Sequence, residues 1–233
     1  MPSKLSTSRL LAALATLLPA LALPLASQAA DEGLRVATFS KNSSGWTGPG
    51  GIGGASFINK KSGNEAPSLQ TKFEDFGITF SEQKASWTGD LKTGKAFEIG
   101  LDVNVHDIVF FHDSVTRDLA VEIRDYDNPP EGYPYTSVWY IVGTLSPANK
   151  GWQHYSVTVA DPAATTLPQG WGGYGAEDPV TYEPKLPPGR TFANVIAGAD
   201  EIVFTTLIPG WVYGFTYFNV GVDNLFIRQI TPQ

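Results

Sequence analysis

His106-Asp107 and His112-Asp113 stand six residues apart, an even spacing that puts both imidazoles on one face if a single strand runs through them. Zinc needs three or four converging ligands with a supporting outer layer, and His154 is far away in sequence. Spacing alone therefore points to polar strand ends rather than a metal centre. Ser114 adjoins His112-Asp113, but no Gly-x-Ser-x-Gly elbow is present, and triads assemble in space rather than in sequence. Acidic pairs are the better catalytic candidates. Glu122 and Asp125 fall near one strand end, and Glu177-Asp178 and Glu183 fall in one long loop. Glycoside hydrolysis asks for two carboxyls roughly 5–5.5 Å or 6.5–9.5 Å apart across a groove.

Aromatic residues offer a second chemistry. Six Trp and nine Tyr occur, and several adjoin Gly or Pro: Tyr133-Pro134-Tyr135, Trp171-Gly172-Gly173-Tyr174 and Pro209-Gly210-Trp211-Val212-Tyr213. A sugar's C–H face stacks on such rings while its hydroxyls bond neighbouring polar groups. The binding platform expected on this basis is Tyr133, Tyr135, Trp171, Tyr174 and Trp211, with polar contacts from Arg124 and Asp125. The competing reading buries the same rings in the core or at the ends of the fold, as large aromatics commonly are. Asp125-Tyr126-Asp127-Asn128 alternates oxygen donors as calcium loops do, yet it lacks the Gly and distal Glu of an EF-hand and runs into Pro129-Pro130. A solvated turn is the expectation there.

These residues need a scaffold, and the first 29 residues are not part of it. Lys4 and Arg9 precede an apolar run from Leu10 to Leu25, and Ser27-Gln28-Ala29 places small residues where a signal peptidase reads. The expectation is a signal peptide at 1–29 and a protein exported to the periplasm or beyond, with no integral membrane segment after cleavage. Removing that leader and its two basic residues leaves 204 residues with 14 basic against 23 acidic side chains, a net charge of −9. No basic surface remains to neutralise phosphates, so nucleic acid is excluded as a partner, and anionic polysaccharides are disfavoured. The chain has no cysteine, which rules out thiol catalysis, thiolate metal sites and disulfide support. Stability must come from one sizeable core.

The elements that build this core read as strands. Phe97, Ile99, Leu101, Val103 and Val105 alternate with polar or small residues, and Leu119-Ala120-Val121-Glu122-Ile123 repeats the pattern. Val138 to Val142 is continuously apolar, which predicts a strand buried on both faces. Trp152 to Val159, Glu201 to Leu207, Trp211 to Val220 and Val222 to Ile227 complete the set, with turn-rich stretches between them. No segment sustains helical periodicity for three turns. Residues 30–233 are therefore expected to form a single all-β domain, an antiparallel sandwich. Residues 43–54 hold six glycines around Trp46 and predict either a flexible linker or an ordered cap anchored by that Trp. The connection at 162–190 is long for a structureless loop and so is a functional candidate.

Phe39 with Gly45-Trp46, then Trp152-Gln153-His154-Tyr155-Ser156-Val157, then Val222-Asp223-Asn224-Leu225-Phe226-Ile227 follow one another along the chain. This order resembles the secreted β-jelly-rolls of the galactose-binding, carbohydrate-binding-module and laminin-B (domain IV) type. Thr116 to Leu119 through Trp139, with Trp171 to Tyr174, is similar to exported bacterial proteins that carry no assigned activity. The resemblance implies a jelly-roll in which the second and third motifs are neighbouring inner strands, and an exported, non-catalytic module whose partner is a poly- or oligosaccharide. Two alternatives stay open: a structural or adhesive protein with no small ligand, and a carboxylate-based glycoside hydrolase or polysaccharide lyase. Modules of this kind also hold a structural calcium. Its metal ligand here would be Asp223, although Ser40-Lys41 stands where the family has an acidic partner, and Asp223-Asn224 can instead bond neighbouring backbone.

Overall fold

The computed structural model describes residues 33–230, which belong to one compact unit, Asp31–Gln233. The expected leader at 1–29 lies outside the described residues. In chain order the strands begin with β1 (Arg35–Ala37), β2 (Gly54–Asn59), β3 (Ser68–Asp75) and β4 (Thr79–Glu82). A short helix α1 (Ala85–Thr88) and a 3-10 turn (Gly89–Thr93) lead to β5 (Phe97–Phe110), β6 (Asp113–Ser114), β7 (Arg117–Asp125) and β8 (Thr136–Leu145). Then come β9 (Trp152–Val159), β10 (Trp171–Tyr174), β11 (Ala176–Glu177) and β12 (Pro184–Lys185). Helix α2 (Phe192–Ala197), β13 (Glu201–Thr205) and β14 (Thr216–Gln229) end the chain.

These strands form an antiparallel β-sandwich of jelly-roll type. One sheet runs β2-β3-β14-β5, with β9 on the far side of β5 and β1 beside the end of β14; the other runs β10-β8-β7-β13-β4. Alternation explains how they close on each other. Ile99, Leu101 and Val103 of β5, with Val220 and Val222 of β14, meet Leu119, Val121 and Ile123 of β7 and Ile202 and Phe204 of β13 in one buried cluster. The two motif strands are not neighbours: β5 lies between β9 and β14, pairing with both. The Val138 to Val142 run is buried on one face only, with Ile141 37% exposed on the other. A strand of a two-layer sandwich has a single covered face, and aromatic and β-branched side chains suit its outer surface as well.

The glycine-rich segment is an ordered cap. Trp46 is buried against Trp87, edge to face at 5.4 Å, and Thr47 exchanges backbone hydrogen bonds with Ser81 of β4. Gly45 (φ 98°) cannot carry a side chain, since a Cβ there would meet the Glu82 carboxylate. The stretch 162–190 is likewise structured: it supplies β10 to the second sheet and the small β11-β12 hairpin. Thr191 caps α2, its hydroxyl accepting the Asn194 N–H at 3.1 Å.

Candidate functional site

The outer face of the second sheet carries the densest chemistry of the described residues, and its layout follows from period two. Since Val121 and Ile123 point into the core, Ala120, Glu122 and Arg124 of β7 point outward. Strand register then sets two adjacent rows across the sheet. Arg124 lies opposite Ser137 of β8 and Glu201 of β13, and Ser137 lies opposite Tyr174 of β10. Glu122 lies opposite Trp139 and Val203, and Trp139 lies opposite Gly172.

Arg124 ties the first row to the second. Its Nε and Nη2 donate to Glu122 Oε2 at 2.9 and 2.7 Å, and its Nη1 donates to Glu201 Oε2 at 3.0 Å. Every remaining carboxylate oxygen also accepts: Glu122 Oε1 from Ser137 Oγ at 2.5 Å, and Glu201 Oε1 from Gln83 Nε2 at 3.0 Å. Tyr126 donates its hydroxyl to Glu201 Oε2 at 2.7 Å. Glu122 and Glu201 are 1% and 4% exposed, so this is a buried charge cluster reached from one side. Burial pulls the guanidinium's pKa down, but Glu122, then Tyr135 and Glu201, push it above its ordinary value.

Four tyrosines wall the cluster. The Tyr135 ring lies 4.5 Å from the Arg124 guanidinium carbon. Tyr126 meets Tyr135 edge to face, Tyr133 meets Tyr174 the same way, and Tyr135 and Tyr174 are inclined by 46°. Burial, then Glu201, pushes the Tyr126 hydroxyl up to about 12; burial and Glu122 raise Tyr135, and burial with neighbouring Tyr133 raises Tyr174. All three stay neutral O–H donors in ordinary conditions.

Beside the tyrosines a groove of about 650 Å³ is lined by Trp139, Tyr182, Glu183, Pro184, Pro209 and Trp211. Gly172 makes room for its floor, because a Cβ there would lie 2.2 Å from the Trp139 ring. The Trp139 indole N–H is buried without an acceptor, while Trp211 is 69% exposed at the rim.

Of the residues singled out from sequence, Arg124, Tyr133, Tyr135 and Tyr174 come together here, and Trp211 lines the adjoining groove. Trp171 does not. It is only 8% exposed, facing the core against Phe192 at 5.0 Å and Tyr140 at 5.6 Å, because it sits one residue out of phase with Gly172. Asp125 points away from Glu122 and Arg124 for the same reason of phase: it is buried, ion-paired with Arg190, and accepts the Asp127 N–H at 2.8 Å. Burial raises its pKa against those two partners. Asp125, Asp127 and Asp200 do converge within 4.8 Å, but Arg190 meets the Asp125 charge and Asp200 Oδ2 accepts the Tyr126 N–H. Glu201, Gln83, Ser137, Tyr126, Trp139 and Tyr182 are not among the binding residues that the sequence predicts. The phase of β7 would have found Trp139 and Glu201 once its partners were known.

The histidines do not converge among the described residues. His106 lies on β5 and His112 in the following turn, while His154 of the neighbouring strand β9 has its Nδ1 2.8 Å from Asp102 Oδ1, and all three lie away from the five-stranded sheet. Asp223 sits at a bulge in β14, where Asn224 adopts a left-handed φ of 48°. Its Oδ1 accepts the Asn224 N–H at 2.8 Å, and its Oδ2 is buried with no hydrogen-bond partner. Opposite it, Asp102 is already saturated by the amides of Asn64 and Asn224 and by His154. The side chains thus offer calcium one free carboxylate oxygen where its shell takes six to eight, and they do not fit that ion.

No protein-family model matches the sequence, and no curated protein sequence matches it. Among solved structures, the chain is similar to the C-terminal family 22 carbohydrate-binding module of Clostridium thermocellum Xyn10B, at 12% identity and TM-score 0.45, over 86% of this chain and 96% of that one. It is similar to the family 11 carbohydrate-binding module of the cellulase Lic26A-Cel5E of Clostridium thermocellum, at 13% identity and TM-score 0.45, over 86% and 96%. A third similarity is to the N-terminal CBM22-1-GH10 modules of Clostridium thermocellum Xyn10B complexed with xylohexaose, at 12% identity and TM-score 0.48, over 86% of this chain and 29% of that one. Each is a similarity of chain course at low identity; the chemistry of the face rests on this chain's own side chains.

Proposed function

We propose that the protein is an exported carbohydrate-binding module that takes a glycan on the outer face of its five-stranded sheet and does no chemistry on it. One observation carries this reading: a charged floor (Glu122, Arg124, Glu201) lies beneath half-buried tyrosines and opens beside a groove rimmed by Trp211 and Tyr182. Sugar rings would stack on the exposed Trp211 and Tyr182. Hydroxyls would bond the two guanidinium hydrogens that Glu122 and Glu201 leave free and the phenols of Tyr133 and Tyr174. The tyrosine rings are inclined to one another, so they grip a sugar's edge rather than offer a flat platform.

The network also favours binding over catalysis. Each oxygen of Glu122 and Glu201 already accepts a hydrogen bond, and one guanidinium holds both carboxylates. A glycosidase would need one of them released as acid and the other as base or nucleophile. A glycan array probed with the protein, followed by affinity electrophoresis of Trp211→Ala and Tyr174→Ala, tests the reading. Binding that both substitutions weaken about tenfold or more supports it. Release of reducing or unsaturated ends, or no retention on any glycan, would sink it.

A further inference from the structure

We infer that the glycan bound on this face carries primary ammonium groups, as in a de-N-acetylated amino-sugar polymer. The inference rests on the binding reading above and narrows it to a class of sugar.

The floor has an unbalanced charge. Glu122 and Glu201 are both nearly buried, and Arg124 is the cation at ion-pair distance of either among the described residues. Their other partners, Ser137, Gln83 and Tyr126, are neutral donors that satisfy lone pairs without cancelling charge. One excess negative charge is therefore held in a site largely screened from water, where each charge acts more strongly than on an open surface. Glu183 adds a carboxylate to the wall of the adjoining groove, which contains no basic side chain. Burial is the main cause that raises Tyr126, Tyr135 and Tyr174, and the carboxylates Glu201 and Glu122 add to it by more than Arg124 opposes.

A ligand ammonium would gain on two counts. It would restore charge balance beside Glu201, whose cover is the half-exposed Tyr126, and it would meet the electron-rich faces of inclined tyrosine rings. An N-acetyl group at the same position brings neither charge nor ammonium donors. A uronate brings the wrong sign.

The test is calorimetric titration of the protein with glucosamine hexamer, N-acetylglucosamine hexamer and xylohexaose at low salt. At about pH 5.5 the free amines are charged, and the glucosamine hexamer is expected to bind about tenfold tighter than its acetylated form, an advantage that fades by about pH 9. Glu201→Gln should erase most of the preference. Glu183→Gln, at an exposed position, should reduce it about twofold without touching the buried cluster. Glu74→Gln, exposed on the other sheet, should leave it unchanged. Equal or tighter binding of the acetylated or neutral hexamer overturns the inference and leaves the binding face standing. A preference that survives both Glu201→Gln and Glu183→Gln, or that Glu74→Gln weakens equally, shows only attraction of a polycation to an acidic chain and also overturns it. If no hexamer binds at all, the inference is overturned too, and the glycan array decides separately whether the face binds another sugar.

Discussion

Replacing Arg124 with Met isolates what the buried cluster contributes. Methionine keeps an unbranched apolar stem in the space of the Arg side chain but removes three hydrogen bonds and the cation between Glu122 and Glu201. Removing one partner of a buried pair costs about 3–5 kcal/mol, because the opposite charge stays in a poor solvent. Here two carboxylates are left, and the contact with Tyr135 at 4.5 Å goes as well, worth about 0.5–1 kcal/mol. The expected loss is about 4–5 kcal/mol, a large share of the roughly 5–15 kcal/mol that holds a domain together. Urea unfolding followed by tryptophan fluorescence would show the midpoint falling with an unchanged slope. Arg124→Met combined with Glu122→Gln and Glu201→Gln is the decisive companion. It keeps the shape, discharges the site, and should recover more than half of the loss. A single variant that loses less than about 1 kcal/mol, or a triple variant no better than the single, would refute the account of a buried, charge-coupled cluster.

Other expectations separate structure from binding. Trp171→Ala should cost about 3–5 kcal/mol, as removal of a core aromatic does, and Trp211→Ala should change stability by less than about 0.5 kcal/mol while weakening glycan binding; equal effects on stability would contradict their assignment to core and rim. Gly172→Ala places a methyl 2.2 Å from the Trp139 ring, so a shifted tryptophan emission and weaker binding are expected, with a stability loss of about 1–3 kcal/mol as the ring is displaced; an unchanged spectrum would show that the ring does not rest there. Burial first, then the charges of Asp102 and Glu65, hold Asp223 at about 6 in the fold, against the backbone N–H groups of Asn224 and Asn64. A folded value above the unfolded one means the proton favours the fold, so stability should rise as pH falls from about 6 to 4, and the ionised group costs about 3 kcal/mol at pH 7. Asp223→Asn should therefore stabilise the protein at pH 7 and flatten that pH dependence in thermal melts; a destabilised variant, or a melting point raised by calcium in wild type alone, would show that the carboxylate serves a cation.

Alternation made the sandwich legible in the sequence, because a sheet with one covered face forces apolar side chains to every second position. The stretch from Phe97 to Val105 and the one from Leu119 to Ile123 became β5 and β7 with the expected residues inside. Strand order was harder to see. β9 and β14 carry the clearest motifs, yet both pair with β5, a non-local choice that no short window of residues encodes. The site was legible where it depends on one strand and obscure where it depends on several. Glu122 and Arg124 share a face by simple parity, and the same parity sends Asp125 to the opposite side, so grouping Arg124 with Asp125 ran against the period of the strand.

Glu201 shows why the rest was hidden. It lies 77 residues from Arg124 and becomes its partner only because β13 pairs antiparallel to β7 with Glu201 opposite Arg124. A shift of that register by one residue would put Ile202 beside the guanidinium and turn Glu201 into the core. The apolar demand of Ile202 and Phe204 therefore fixes the position of a charge on the opposite face. Core packing and site geometry are in this sense one constraint. Substitutions that loosen the β13 core, such as Phe204→Ala, should weaken the Arg124–Glu201 pair, and with it binding, well before they unfold the sandwich.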